Sequence, residues 1–241
     1  MTAGREMRAN PIVAIDGPSG AGKTTVSRKL AEAASLTRLD TGAMYRACAL
    51  AARRAGIPWS DGARLGRMCA ELDLSFRRGD GGDLRVFLSG EDVSDAIRAP
   101  EIGMGASEVS AHGPVREALV ALQRRMGEAG GVVLEGRDTG TVVFPDADVK
   151  FFLDAAAAVR ARRRYLEWGP GKGPSFEETL RDVLRRDVQD STRDRSPLRM
   201  ADGAFHVDST LLTADEAASE MMALLGEALA AEGDAGRAAR P

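Results

Sequence analysis

Gly17-Pro18-Ser19-Gly20-Ala21-Gly22-Lys23-Thr24 fits the spacing G-x-x-x-x-G-K-[ST] of a phosphate-binding loop. Its surroundings support that reading. Ile12-Val13-Ala14-Ile15 before it is a short, β-branched, apolar run that ends at Asp16. Val26 to Ala34 after it consists mostly of good helix formers. The order strand, glycine-rich loop, helix raises the match above coincidence. Glycines open backbone angles closed to other residues. Successive N–H groups can then face inward and cradle phosphate oxygens, helped by the positive end of the next helix. Lys23 is expected to reach the β- and γ-phosphates of a nucleoside triphosphate, and the Thr24 hydroxyl to bind Mg²⁺.

The 241 residues allow one large domain, or one domain carrying an inserted module. A net charge of -3 argues against a protein devoted to nucleic acid. Cys48 and Cys69 each sit among helix formers and read as buried free thiols. Two histidines and no CxxC pair exclude a His-rich metal site or a zinc knuckle. Met1 to Asn10 is polar and lacks the apolar stretch of a signal peptide. No apolar run approaches the ~18 residues of a membrane span. A cytoplasmic protein with no membrane partner is the expectation, with 1–10 disordered and 230–241 a flexible tail.

Further along, Leu39-Asp40-Thr41-Gly42 precedes a helix that ends near Gly56-Ile57-Pro58. Thr41 reads either as that helix's N-cap or as part of a second anion site at its start. From 59 to 105 the pattern changes to a short helix and a hairpin, Asp73–Arg77 and Leu84–Leu88, around Gly79 to Asp83. A small antiparallel module that interrupts a βα pattern reads as an insertion. Ser107 to Glu128 is helical, with a break at Gly113-Pro114. Arg116 there is either a solvated helix charge or a phosphate ligand.

Val132-Val133-Leu134 then runs straight into Glu135-Gly136-Arg137-Asp138. In open α/β sheets ligands bind beyond the carboxyl ends of the strands. If this strand is parallel to the first, Arg137 and Asp138 lie at the edge that carries the phosphate loop, although a local ion pair is the plainer alternative. After the strand Val149–Asp154, two helices rich in arginine (Arg160 to Arg164, then Arg185, Arg186, Arg193 and Arg195) flank the connector Gly169 to Pro174. They read as a hinged basic flap over about 158–195, or as a solvated charged hairpin. A final strand, Phe205–Ser209, leads into an amphipathic helix from Thr213 to Leu229 whose Thr213 and Glu216 form a capping box.

Phosphoryl transfer is mostly positioning and cationic stabilisation. It also needs water kept out of the site. Lys23 suits the donor, Arg116 and Arg137 an acceptor phosphate, and the flap arginines the transfer itself. A phosphate acceptor is already nucleophilic near neutral pH, so the lack of an obvious general base is consistent with one.

Taken together, Asp16 to Lys23, Leu39-Asp40-Thr41-Gly42-Ala43-Met44-Tyr45-Arg46, Glu135-Gly136-Arg137-Asp138-Thr139-Gly140-Thr141-Val142-Val143-Phe144-Pro145-Asp146-Ala147 and Leu153-Asp154-Ala155 occur in an order that resembles the bacterial cytidylate kinase family. The resemblance runs from about Pro11 to Leu229, and the block from Glu135 to Ala147 is its most specific part. It implies an α/β P-loop kinase with a central parallel sheet flanked by helices, built from 11–58 and 106–229. An inserted acceptor-binding module at 59–105 and a helical lid complete it. It implies transfer from ATP, with Mg²⁺, to CMP or dCMP; a monomer is the separate expectation. Gly17, Pro18, Ser19, Gly20, Ala21, Gly22, Lys23, Thr24 and Thr25 would hold the ATP phosphates, with Arg160 and Arg164 from the lid. Thr41 and Tyr45 would line the acceptor pocket. Ser107 and Asp138 would meet the cytosine, with Arg116 beside them. Arg137 and Arg186 would grip the CMP phosphate, and Asp190 and Arg193 would meet sugar and phosphates. Lys23, Arg137, Arg186 and Arg193 would act on the transferred group. Glu135 could bind Mg²⁺ through water, and its role stays open.

Other acceptors such as UMP, AMP or shikimate fit the loop equally well. An Asp138 acceptor favours the amino group of cytosine over the carbonyl of uracil. A GTPase-type switch would need an N-K-x-D motif, and Asn10, the single asparagine, is followed by Pro11. A nucleic-acid-binding ATPase is disfavoured by charge and by scarce aromatics.

Overall fold

The computed structural model describes residues 10–79, 84–169, 173–193 and 195–238. It separates into two compact units, Met1–Arg38 with Ala129–Pro241, and Leu39–Glu128. In chain order the first contributes β1 (Ile12–Asp16), α1 (Lys23–Ala33) and β2 (Thr37–Asp40), which crosses the boundary. The second holds α2 (Thr41–Arg54), α3 (Gly62–Ala70), β3 (Leu74–Arg78), β4 (Leu84–Leu88), β5 (Glu91–Asp92), α4 (Pro100–Val109) and α5 (Gly113–Gly127). The first resumes with β6 (Val132–Gly136), β7 (Val149–Asp154), α6 (Ala157–Trp168), α7 (Phe176–Ser191), β8 (Phe205–Asp208) and α8 (Ala214–Ala238).

The sheet of the first unit has the order β2-β6-β1-β7-β8. β1 pairs in parallel with β6 and with β7, and β7 with β8. Every residue of β1 and β6 is buried, as expected of central parallel strands covered on both faces. That is why both read as continuous apolar runs and not as alternating ones. On one face Val26 and Leu30 of α1 join Met221 and Leu225 of α8 in a single apolar cluster with Val13, Ile15, Phe151 and Leu153. The register pairs Asp16 with Gly136 and with Phe152. The chain therefore leaves β1, β6 and β7 at one edge, which carries the phosphate loop and the Arg137-Asp138 turn.

In the second unit Met44, Leu50, Leu65, Ile102 and Leu119 form the centre of an apolar core. Small residues let its helices approach. A Cβ at Gly66 would run into the Pro114 ring, and one at Gly105 into Trp59. β3, β4 and β5 form a separate antiparallel sheet, the hairpin expected from the sequence. The unit is wider than the 59–105 stretch, because the apolar faces of α2 and α5 pack within it.

Several local expectations change. Asp40, not Thr41, caps α2: its carboxylate accepts from the Ala43 amide at 2.8 Å, and Thr41 becomes the first helical residue. The helical break expected at Gly113-Pro114 falls at 110–112, so Gly113 opens α5 with proline in its first turn. Cys48 and Cys69, expected as free thiols, are joined in a disulfide with Cα atoms 6.4 Å apart. They meet because α2 and α3 turn both residues into the same core. α8 continues to Ala238, past the expected end at Leu229, since helix-forming Ala and Glu continue through Glu232. The caps of α7 and α8 form as expected. The expected disordered N-terminus (1–9), the hairpin tip (80–83), the centre of the flap connector (170–172) and the end of the tail (239–241) lie outside the described residues.

Gly17 has φ 152°, and a Cβ there would fall on the Leu153 carbonyl oxygen of β7. Gly17→Ala is expected to push the phosphate loop off the sheet. It should cost about 2–3 kcal/mol of stability in urea unfolding. Nucleotide-dependent turnover should fall with it. An alanine variant as stable as the parent would refute this packing.

Candidate active site

The phosphate loop is built by close approach. Gly20 (φ 81°) lies against the backbone of Arg160, where a Cβ would be 3.0 Å from the carbonyl oxygen. Gly22 (φ 96°) precedes the first residue of α1. Positive φ at these positions is accessible to glycine at little cost. Lys23 is buried, and its ammonium donates to the carbonyls of Gly17 and Pro18, both at 2.7 Å. Burial is the largest influence on this group and Arg137 the next. Together they bring its pKa down to about 7 against the pull of Glu135, Asp16 and Asp190.

Beneath the loop, Glu135 at the end of β6 accepts from three sides. Thr24 Oγ1 donates to Oε2 at 2.9 Å, and Ser27 Oγ to Oε1 at 3.1 Å. Arg38 Nη1 donates to Oε1 at 2.6 Å. A hydroxyl next to a carboxylate is a donor set that suits Mg²⁺, a hard cation that takes one or two protein oxygens alongside phosphates and waters. Among the described residues no group of three or more His, Cys, Asp or Glu forms a metal cage. The arrangement fits an ion brought in with a nucleotide.

Arginines gather around the loop, and Arg137, Arg160, Arg164, Arg186 and Arg193 are each matched to an acid. Arg160 is buried. Its Nε donates to the Ala155 carbonyl at 2.7 Å and its Nη1 to the Ser19 carbonyl at 3.1 Å. Both of its Nη atoms reach Asp187, at 2.9 and 2.7 Å. Arg164 donates to Ser19 Oγ at 3.0 Å and lies 3.9 Å from Asp182. Arg186 is 3.7 Å from the same Asp182. Burial next to Arg164 lowers the Arg186 pKa, against the pull of Asp182. Arg137 Nε donates to Asp190 at 2.8 Å, and Arg193 stands 3.7 Å from the other oxygen of that carboxylate. Burial pushes the Asp190 carboxyl up, but Arg137, Arg193 and Lys23 hold it below its ordinary value.

The structure therefore brings together Gly17 to Thr25, Arg137, Asp138, Arg160, Arg164, Arg186, Asp190 and Arg193 in the first unit. Asp138 is buried, and its carbonyl accepts from the amides of Val142 and Val143. Thr41, Tyr45, Ser107 and Arg116 belong to the second unit. There the Arg116 guanidinium lies over the Tyr45 ring, 5.8 Å from its centroid. Thr41 and Arg116 are buried, and Ser107 is half-buried on α4.

Sequence reasoning missed Asp182 and Asp187, although Asp182, Arg186 and Asp190 recur at helical i,i+4 spacing. It also missed Arg163, which braces the loop by donating to the carbonyls of Ala21 (3.2 Å) and Ser209 (2.7 Å). Arg46 was missed too. It pairs with the cap residue Asp40 at 3.1 Å, while its buried Nε has no hydrogen-bond partner among the described residues.

The sequence model described as cytidylate kinase matches residues 13–227. A cytidylate kinase from Geobacter sp. (strain M21) is 53% identical over 226 residues, covering 93% of this chain and 96% of that protein. One from Geobacter sulfurreducens is 52% identical over 221 residues, covering 91% and 94%. Among solved structures, an uncharacterized protein from Eubacterium ventriosum matches with a TM-score of 0.50 at 12% identity, over 90% of this chain and 98% of that one. That last likeness concerns the fold alone.

With a pKa of about 7, Lys23 is largely neutral at pH 8. Phosphate oxygens favour the ammonium form, so binding a triphosphate should take up close to one proton at pH 8, and affinity should weaken as pH rises from 7 to 9. Calorimetry in two buffers of different protonation enthalpy measures this uptake. Equal heats in both buffers would contradict it.

Proposed function

The chain belongs to the cytidylate kinase family, and we propose from that premise that it transfers the γ-phosphoryl group of ATP to CMP or dCMP, giving ADP with CDP or dCDP. The observation that carries the proposal beyond family membership is the cluster of arginines around the phosphate loop, each held by a carboxylate that a phosphate can replace. In this reading the loop amides and Lys23 hold the donor phosphates, and Lys23 exchanges the Gly17 and Pro18 carbonyls for phosphate oxygens. Thr24, backed by Glu135, holds Mg²⁺, which supplies neutralising charge to the donor. Arg160 and Arg164 wall the donor side.

Arg137 and Arg186 grip the acceptor phosphate, and Arg193 shares the charge that develops in transfer. Asp138 accepts from the cytosine amino group, and Asp190 meets the sugar. The roles of Thr41, Tyr45, Ser107 and Arg116 as further acceptor contacts follow from the family resemblance. A phosphate monoester has a second pKa of about 6. Its oxygen is thus ready to attack at neutral pH, and the residues need only position it and keep water out. We further take the protein to act as a monomer on small nucleotides in the cytoplasm. Among the described residues no helix is long and apolar enough to cross a membrane.

ADP formation from ATP and Mg²⁺ should depend on CMP or dCMP and be far slower with UMP, AMP or no acceptor. Equal rates without acceptor would overturn the proposal. Arg137→Ala should lose a charge-assisted phosphate contact worth about 1.5–3 kcal/mol. Turnover per unit CMP should drop accordingly while ATP affinity stays nearly unchanged. Asp138→Ala should narrow the preference for CMP over UMP, and a preserved preference would remove Asp138 from base recognition.

A further inference from the structure

Asp16 ends β1 and is joined directly to Gly17 of the phosphate loop. It is 2% exposed, an acidic residue at the centre of the sheet's functional edge that the mechanism above does not use. Its carboxylate is aimed at the turn after β6. Oδ1 accepts from the amide and from the hydroxyl of Thr139, each at 2.8 Å. Oδ2 accepts from the Gly140 amide, also at 2.8 Å.

That turn needs an external partner. Residues Thr139–Val143 form a single wide π-helical turn, which closes with the Phe144 amide donating to the Thr139 carbonyl. The first amides of any helical turn lack an acceptor within it. Here those amides are Thr139 and Gly140, and Asp16 takes both. The backbone of Asp16 is also in register with Gly136 in the β1–β6 pairing. One residue therefore holds the chain on both sides of Arg137-Asp138: through strand pairing at Gly136 and through its carboxylate at Thr139 and Gly140. Those two residues form a short arch whose ends are both set by the residue that starts the donor loop.

We propose that Asp16 is a positioning residue that fixes where Arg137 and Asp138 stand relative to the phosphate loop. The side-chain chemistry is specific. Two adjacent amides and a hydroxyl call for a group with acceptors on both oxygens and no donor, which an ionised carboxylate provides. Asparagine would turn an N–H₂ toward one of these donors. The inference rests on the assignment of Arg137 and Asp138 to the acceptor.

The test is Asp16→Asn with Thr139→Val as a milder companion, which removes only the hydroxyl bond. A buried amide left without its acceptor costs about 1–3 kcal/mol, so Asp16→Asn should raise KM for CMP on the order of tenfold. Asp16→Asn also removes a charge that favours the Lys23 ammonium, so a smaller rise in KM for ATP accompanies it, whereas Thr139→Val leaves that charge in place and should keep KM for ATP within about twofold. Amide exchange in Asp16→Asn should quicken across 137–143 and stay as in the parent across the loop helix, 23–33. If Asp16→Asn does not fold, Thr139→Val decides, with an expected rise of about two- to threefold in KM for CMP alone. Unchanged KM for CMP, or an equal rise for ATP and CMP, would overturn the proposal. The parent enzyme with CMP, assayed alongside, separates the two failures. No CMP turnover in the parent would sink the acceptor reading, while the exchange pattern would still judge what Asp16 does to the turn.

Discussion

Like charges forced together around the phosphate loop are the constraint on which the first unit depends. Two such charges 4 Å apart repel by about 4 kcal/mol at an effective dielectric near 20. Lys23, Arg137, Arg160, Arg164, Arg186 and Arg193 crowd round one loop, and without compensation they would drive its walls apart. The compensation is interleaved. Glu135 sits under Thr24, Asp190 lies between Arg137 and Arg193, Asp182 faces Arg164 and Arg186, and Asp187 locks Arg160. Several of these pairs are half-buried or buried, where desolvation offsets much of the attraction but removing one partner is strongly destabilising, because it leaves an uncompensated buried charge.

The same pairs tie the helices to the sheet. α6 contributes Arg160, Arg163 and Arg164, whose donors end on Ser19 and Ala21 of the loop, while Gly20 packs on the α6 backbone. α7 is joined to α6 through Asp187 and Asp182. The base of the basic flap is thus a wall of the phosphate loop. The loop glycines serve this wall as much as they serve phosphate, because a side chain at Gly17 would meet β7 and one at Gly20 would crowd α6.

How much of this was legible in the sequence follows from the range of each interaction. The phosphate loop, the buried strands and the caps of α7 and α8 are local, written in neighbouring residues, and the structure has them as expected. The Glu135 to Asp154 region was legible because motif order carries information that spacing alone does not. The acids opposite the arginines were only half legible: Asp182 and Asp190 share a helix with Arg186, but Asp187 is recognisable only once Arg160 on another helix reaches it. The Cys48–Cys69 pairing was hidden for the same reason, since it depends on how α2 meets α3. Thr41 was mistaken for a possible cap because Asp40 and Thr41 are both good capping residues, and the extended backbone of Asp40 decides between them.

The matched acids also bear on how such a site can hold its cations together and still bind tightly. A carboxylate offers one charge, and a loop carbonyl none, where a phosphate offers up to two and more oxygens. On the proposed reading, each resident partner holds its cation in place yet is weaker than the phosphate that replaces it. Lys23 shows the limit of the arrangement. Its stand-ins are neutral carbonyls, so burial wins and the pKa falls to about 7. On the proposed reading, the loop lysine gains its full charge when phosphate binds, while the wall arginines are already paired with carboxylates.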